Sequence, residues 1–395
     1  MPVGKRKAKG KHVGTKRAAS SRNGSGKKGP RYDSSSLASD REFARHILMF
    51  DSDDPSTFSK HTLPPSKVML AAARSPIPWP AGKAPTPAPL TPAPTPNSPL
   101  RSGVYDYLVV TWTVEEAKAL ADTLTPGFPS KTAWYSYAHN FQTTFVPIIR
   151  KGAPALESKR LGIFFPTRIA GKSVLCFKSD LHFSQDGPDM PIALLWKQLI
   201  AEVKPKWVIT TGTAGGIGSK IELGDVVVAQ AVRFDCTKEF KSKPFHNAVY
   251  PTTTLKHTSQ SVAQGLFEAN AAHLPTSGRP PEIISQPVPG ITPVDVVTTD
   301  FFAFDDSTDE FGLQGLASAV EMGDAVLGLV VSEVDQTGGS SQSWAAVRNA
   351  SDPQIDATGL TPEEAKTKAG QIYEKYGYWT TIPSAITCWS VILDN

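Results

Sequence analysis

From residue 105 onward the chain alternates short apolar runs with amphipathic stretches, whereas the first hundred residues are polar, basic or interrupted by proline. The run 107–112, YLVVTW, reads as a buried strand, and 113–124, TVEEAKALADTL, as the amphipathic helix behind it. Further strands are expected at 161–165, 173–178, 207–211, 225–232, 295–299 and 345–350. Helices are expected at 192–203, after Met322 and over 361–376, where Thr361, Pro362 and Glu364 form an N-terminal cap signal. Strands alternating with helices point to a layered α/β fold around a largely buried sheet. No internal repeat is found.

Before residue 105 the pattern supports less structure. Residues 1–36 hold Lys, Arg, Gly and Ser with almost nothing apolar, and a segment that cannot bury surface does not offset the entropy of ordering; disorder is expected. A helix fits 40–50, with Phe43, Ile47 and Phe50 on one face. The stretch 64–99 alternates Pro with Ala, Thr and Ser, which removes backbone donors and favours extended geometry, so it reads as a semi-rigid linker. The expected organisation is a disordered basic tail over 1–36, a helix and Pro-rich linker over 37–100, and an α/β domain over 101–395.

Charge sharpens this division. Eleven of the 41 basic residues lie in residues 1–32, ahead of the first acidic residue, Asp33, leaving 30 against 37 acidic ones and a body of about −7. A flexible lysine-rich arm attracts any polyanion without reading sequence. Only Tyr32 could stack on a base, so the expectation is nonspecific nucleic-acid contact or a solubilising or localising tail. Cys176, Cys236 and Cys388 show no metal or disulfide spacing and are expected as buried thiols. No run approaches the ~18 apolar residues of a membrane span, and the basic N-terminus lacks an apolar signal core, so a cytoplasmic location is expected.

The most informative stretch is 207–229, WVITTGTAGGIGSKIELGDVVVA. Gly218-Ser219-Lys220 breaks the Walker order, and a new strand begins near Asp225 before any helix could form, so neither a phosphate loop nor a dinucleotide fingerprint fits. The glycine-rich segment is expected to turn from strand to strand. Backbone bare of side chains there either admits a flat ligand or makes a tight turn.

The run Thr211-Gly-Thr-Ala-Gly-Gly-Ile followed by Leu223-Gly-Asp-Val-Val-Val resembles the central signature of the nucleoside phosphorylase and nucleosidase superfamily. Val294-Asp-Val-Val-Thr-Thr-Asp-Phe-Phe resembles its base-stacking strand, Val320-Glu-Met its ribose motif, and Val347-Arg-Asn-Ala-Ser-Asp352 the strand ending in its catalytic aspartate. The resemblance runs from Tyr105 to the C-terminus. It implies a three-layer αβα phosphorylase-like fold around a mixed sheet, a small-molecule nucleoside as ligand, no metal or organic cofactor, and a homodimer or larger homo-oligomer in which a neighbour often closes the pocket.

Glycosidic cleavage needs an acid at the leaving base, a nucleophile at the anomeric carbon, and groups that hold the ribose. The resemblance assigns Asp352 as the acid, Glu116 and Arg348 to the attacking water, and Thr213 beside them. Phe302 is assigned to the base face, the backbone of Ala303 to the base edge, and Met322 to the ribose. Ala214 and Gly215 complete the expected wall. Bland alternatives exist: an Asx turn at Asp352 before Pro353, a capping box from Thr113 to Glu116, and a core phenylalanine at 302.

Where family members read Glu-Met-Glu, this chain reads Glu321-Met322-Gly323-Asp324, so Asp324 or Glu321 would have to supply the ribose-binding carboxylate. The first strand lacks the Gly-Asp-Pro-x-Arg turn with which many phosphorylases hold phosphate, which favours water as nucleophile. The expected activity is hydrolysis of a purine nucleoside or related nucleotide metabolite. A phosphate-dependent phosphorylase, with its glycosyl transfer, and a catalytically impaired nucleoside-sensing module are the alternatives. The long insertion 238–293 is expected to be a lid or a solvated excursion.

Overall fold

The computed structural model describes residues 34–59, 62, 77–101, 103–271, 279–336 and 342–395. Its strands in chain order are β1 (Thr86–Pro87), β2 (Tyr107–Thr111), β3 (Tyr135–Tyr137), β4 (Gly162–Ile169), β5 (Lys172–Ser179), β6 (Trp207–Gly216), β7 (Val226–Val228), β8 (Ala231–Asp235), β9 (Val249–Pro251), β10 (Ile283–Ile284), β11 (Asp295–Thr299), β12 (Ala319–Glu321) and β13 (Ser343–Asp352). The longer helices are α1 (Ser34–Met49), α2 (Val114–Leu124), α3 (Pro191–Val203), α4 (Gln260–Ala271), α5 (Asp324–Gln336) and α6 (Pro362–Asp394).

The sheet is mixed and runs β1-β4-β5-β2-β6-β12-β11-β8-β9, with β13 lying against both β6 and β7. At its centre β2, β5, β6 and β13 are parallel, and β6 meets β12 antiparallel through Gly215 and Gly216. Alternation along β2 sets two faces. Leu108 and Val110 join the core of Trp196 and Leu199 from α3 and Val326 and Val330 from α5, while Tyr107 and Val109 join Leu120 of α2 and Trp379, Ile386 and Trp389 of α6. Helices thus cover both faces, giving the expected three-layer αβα architecture.

Several expectations need correction. The glycine-rich segment continues β6 to Gly216 in place of turning after Thr211, because small side chains let the strand stay paired with β13 through Gly215. The strand expected at 225–232 is divided into β7 and β8. The last helix runs 33 residues from Pro362. Its C-terminal half, around TTIPSAIT, is buried on every side, so it carries no amphipathic stripe to read; Pro383 lacks an i→i−4 donor, yet the helix continues through it, packed as a whole on β6 and β13.

The segment 238–293 contributes β9, β10 and α4, with α4 packed on α6. Of the expected tail, only 34–36 are described, within the first turn of α1. The expected linker is described from residue 77. There Trp79 packs on Trp389 with ring centroids 4.9 Å apart, β1 pairs with β4, and Leu90 N–H donates to the Tyr135 hydroxyl at 2.9 Å. All three cysteines are buried. Among the described residues no helix is long and apolar enough to cross a membrane, and no group of three or more His, Cys, Asp or Glu could hold a metal.

Candidate active site

At the C-terminal ends of β2, β6 and β13 lies a cleft enclosing about 590 Å³ of space, its open mouth included. The α2 N-terminus forms one wall. Thr113 caps the helix by accepting from Glu116 N–H at 3.1 Å, and Glu116 Oε2 accepts from Thr113 N–H at 2.8 Å, from Trp112 N–H at 2.9 Å and from the Thr111 hydroxyl at 2.6 Å. The other oxygen, Oε1, accepts from Thr213 N–H at 2.7 Å and from its hydroxyl at 2.6 Å. One oxygen of Glu116 thus closes the capping box while the other reaches Thr213 on the cleft wall. Burial works against that charge, but Arg348 and five donors outweigh it and hold the carboxyl below its ordinary range. The carboxyl presses so closely on β6 that a Cβ at Gly212, where φ is +140°, would stand 2.4 Å from it.

Arg348, on β13, is 2% exposed. Its Nε donates to Asp324 Oδ2 at 2.8 Å, Nη2 donates to Asp324 Oδ1, and Nη2 lies 3.4 Å from Glu321 Oε2. The guanidinium also sits 4.8 Å from the Trp112 ring centre. This bidentate pairing takes Asp324 out of the cleft wall: its carboxylate, fully buried, is the counter-ion of Arg348. Glu321 does line the cleft, accepting from the Thr298 hydroxyl and from Asp324 N–H at 3.0 Å; burial, then repulsion from Asp324, pushes its carboxyl above the ordinary range. At position 323 a side chain is absent, and a Cβ there would meet the Trp112 ring at 3.4 Å.

Asp352 ends β13 beside Gly215 of β6. Burial pushes its carboxyl up to about 7, against the hydrogen bond it accepts from Ser351 Oγ at 2.8 Å. Phe302 and Ala303, on the loop after β11, line the same cleft, as do Thr213, Ala214, Gly215 and Met322. The structure therefore brings together every residue assigned from sequence except Asp324. It also adds residues that sequence reasoning missed. His182, on the loop after β5, is fully buried and held neutral by desolvation, its pKa pushed down to about 3. Tyr373 of α6 and Ile47 and Leu48 of α1 close the remaining side. A lone histidine in a loop carries no signal of its own, and Tyr373 lies in the helix expected at 361–376 without any motif around it.

The family model described as the phosphorylase superfamily matches residues 108–330, more than half of the chain. The chain belongs to that superfamily. Within it, residues of this chain are 32% identical over 92 positions to the 5'-methylthioadenosine/S-adenosylhomocysteine nucleosidase of Listeria innocua, covering 22% of this chain and 36% of that relative. The match thus spans about a third of the curated relative's length. Among solved structures the chain is similar to the native futalosine hydrolase of Helicobacter pylori strain 26695, at 15% identity over 73% of this chain and 97% of that one, with a TM-score of 0.43. It is likewise similar to the 5'-methylthioadenosine/S-adenosylhomocysteine nucleosidase of Neisseria meningitidis in complex with methylthio-immucillin-A, at 15% identity over 72% and 97% of the two chains, with a TM-score of 0.45.

Proposed function

We propose that the chain hydrolyses the N-glycosidic bond of a purine nucleoside or a related nucleotide metabolite. The observation that carries this reading is the buried Asp352 carboxyl, raised to about 7 and facing the same cleft as the Phe302 ring. A carboxyl that keeps its proton near neutrality can give it to the purine as the bond to the sugar breaks, and such acids contribute most when their pKa lies near the working pH. Phe302 stacks on the base, and the Ala303 backbone reads its edge. The Thr213 hydroxyl, which spends its proton on Glu116, keeps lone pairs to accept a hydrogen bond from the attacking water. Glu116 and Arg348 fix Thr213 from either side, Arg348 Nη1 reaching the Thr213 carbonyl at 3.4 Å. Met322 and Glu321 lie on the sugar side.

Water is favoured over phosphate by the charge inventory. Arg348 is the cation among the described lining residues; Asp324 takes its Nε and Nη2, Nη1 turns to the Thr213 carbonyl, and His182 is neutral. A phosphate dianion would enter beside the Glu116 carboxylate and meet a guanidinium already paired with Asp324.

The test is to incubate the full chain with a nucleoside panel, with and without phosphate, and follow free base by chromatography. Base released at the same rate without phosphate is the expected result; release only with phosphate, as sugar phosphate, would make the chain a phosphorylase. A second reading rests on position 323, which carries no carboxylate of its own and where the Trp112 ring and Glu321 occupy the approach. On that reading the fold binds nucleosides as a sensor without turnover, and saturable binding with no base released under either condition would select it.

A further inference from the structure

Helix α1 lies outside the four motifs that mark the site, yet Ile47 and Leu48 in its last turns line the cleft, each 5% exposed. The seat of this helix is built from specific pairs. Asp40 Oδ1 accepts from Lys366 Nζ at 2.6 Å, with both side chains 3% exposed, and His46 Nε2 lies 2.6 Å from Glu374 Oε1. Phe43 packs edge-on against Phe302, ring centroids 4.7 Å apart, in a notch that exists because residue 370 is glycine; a Cβ there would stand 2.4 Å from the Phe43 ring. Just past the helix, Asp51 accepts from Lys118 and Lys131, both at 3.0 Å. These contacts anchor α1 to α2 and α6 at the cleft mouth.

We propose that α1 is a specificity-determining wall of the cleft, supplied by the same chain. Ile47 and Leu48 contact the sugar and its outer substituent, and Phe43 is a positioning residue for Phe302. This rests on the nucleosidase reading, in which the base is committed to Phe302, Ala303 and Asp352, and the water to Thr213. Of the lining left over, which also includes Trp112, Thr113, His182 and Val320, the part that α1 and α6 supply is Ile47, Leu48 and Tyr373. It offers apolar surface and a phenol that burial and the Glu116 charge keep protonated, and it presents no cation. The wall therefore selects nucleosides with an uncharged sugar end against nucleoside phosphates, whose charge would be desolvated there without a partner.

Two readouts on the full chain test this independently. In a Met322→Cys background, where the native cysteines are buried, the rate of labelling by a maleimide reports access to the cleft without requiring turnover. Ile47→Ala with Leu48→Ala is expected to raise that rate at least tenfold, and Leu48→Phe, should the alanine pair fold poorly, to lower it. Labelling unchanged in both directions overturns the wall whatever the chain does to nucleosides. In the second readout, the alanine pair is expected to raise kcat/KM at least tenfold for purine nucleosides with bulky apolar sugar substituents relative to adenosine. Phe43→Leu is expected to raise KM while the yield of folded protein and kcat hold. An unchanged substrate ratio and an unchanged KM overturn the specificity and positioning roles. No base release from the unaltered chain would count against the nucleosidase reading instead, and the labelling result would still decide the wall.

Discussion

Replacing Asp352 by Asn separates two consequences of burying that carboxyl beside Gly215. The first is catalytic: without a proton to donate, kcat/KM is expected to fall by about 10²–10⁴-fold, read as free base released, and in the unaltered chain activity should decline as pH rises through about 7. The second concerns stability. Because the folded pKa lies above the ordinary 3.8, the native state holds this proton more tightly than the unfolded chain does, so its contribution is complete below about pH 4 and is lost as pH rises through 7. Across that window the loss is on the order of 4 kcal/mol. Denaturant titrations at pH 5 and pH 8 should therefore show the unaltered chain losing more stability than Asp352→Asn, and equal losses would show that the carboxyl is not held protonated. Asp324 is the opposite case. Its bidentate pair with Arg348 is structural, so Asp324→Ala leaves a buried guanidinium short of its partner and is expected to cost about 3–5 kcal/mol by the same titration. In the sequence, Asp352 was legible because it closes a motif; Asp324 was misplaced because the motif could not show that Arg348 would claim it.

Caps and strand ends carry the next level of control. The two capping boxes, Thr113 with Glu116 and Thr361 with Glu364, have the same local chemistry and were equally legible, yet only the first lies in a cleft. Thr361→Ala should cost about 0.5–2 kcal/mol of stability and leave nucleoside turnover unchanged, a comparison that thermal melting and a base-release assay make directly. Spacing could not distinguish the two boxes, because what differs is the second oxygen of Glu116, which meets Thr213 on a strand 97 residues away. The long α6 shows a complementary failure. Its first half was read from caps and periodicity, while its second half has no polar face, and its Thr, Ile and Pro content weighs against helix in isolation. The buried pair Asn349 to Thr380, at 2.8 Å, and Ser384 to Asn349, at 2.8 Å, registers that half against β13 and satisfies polar groups that would otherwise oppose burial.

For the whole molecule, α1 ties residues far apart in sequence into one structure. Asp40→Ala, which leaves the buried Lys366 with the exposed Glu363, 3.8 Å away, as its remaining carboxylate, is expected to destabilise the fold by about 3–5 kcal/mol, whereas a helix merely tethered ahead of the domain would leave its denaturation midpoint unchanged. The sequence by itself determined the layered α/β class, the central strands and the motifs that carry Asp352 and Phe302 to the cleft. Each of these is written in a local run of residues, as alternation, a cap or a contiguous motif, and local patterns survive without knowledge of the fold. Tertiary structure alone decided the partner of Arg348, the entry of His182 and Tyr373 into the cleft, and the role of α1 as its wall. Those depend on which surfaces meet across hundreds of residues and on how burial then sets charge and hydrogen bonding, and no spacing within a single segment encodes that meeting.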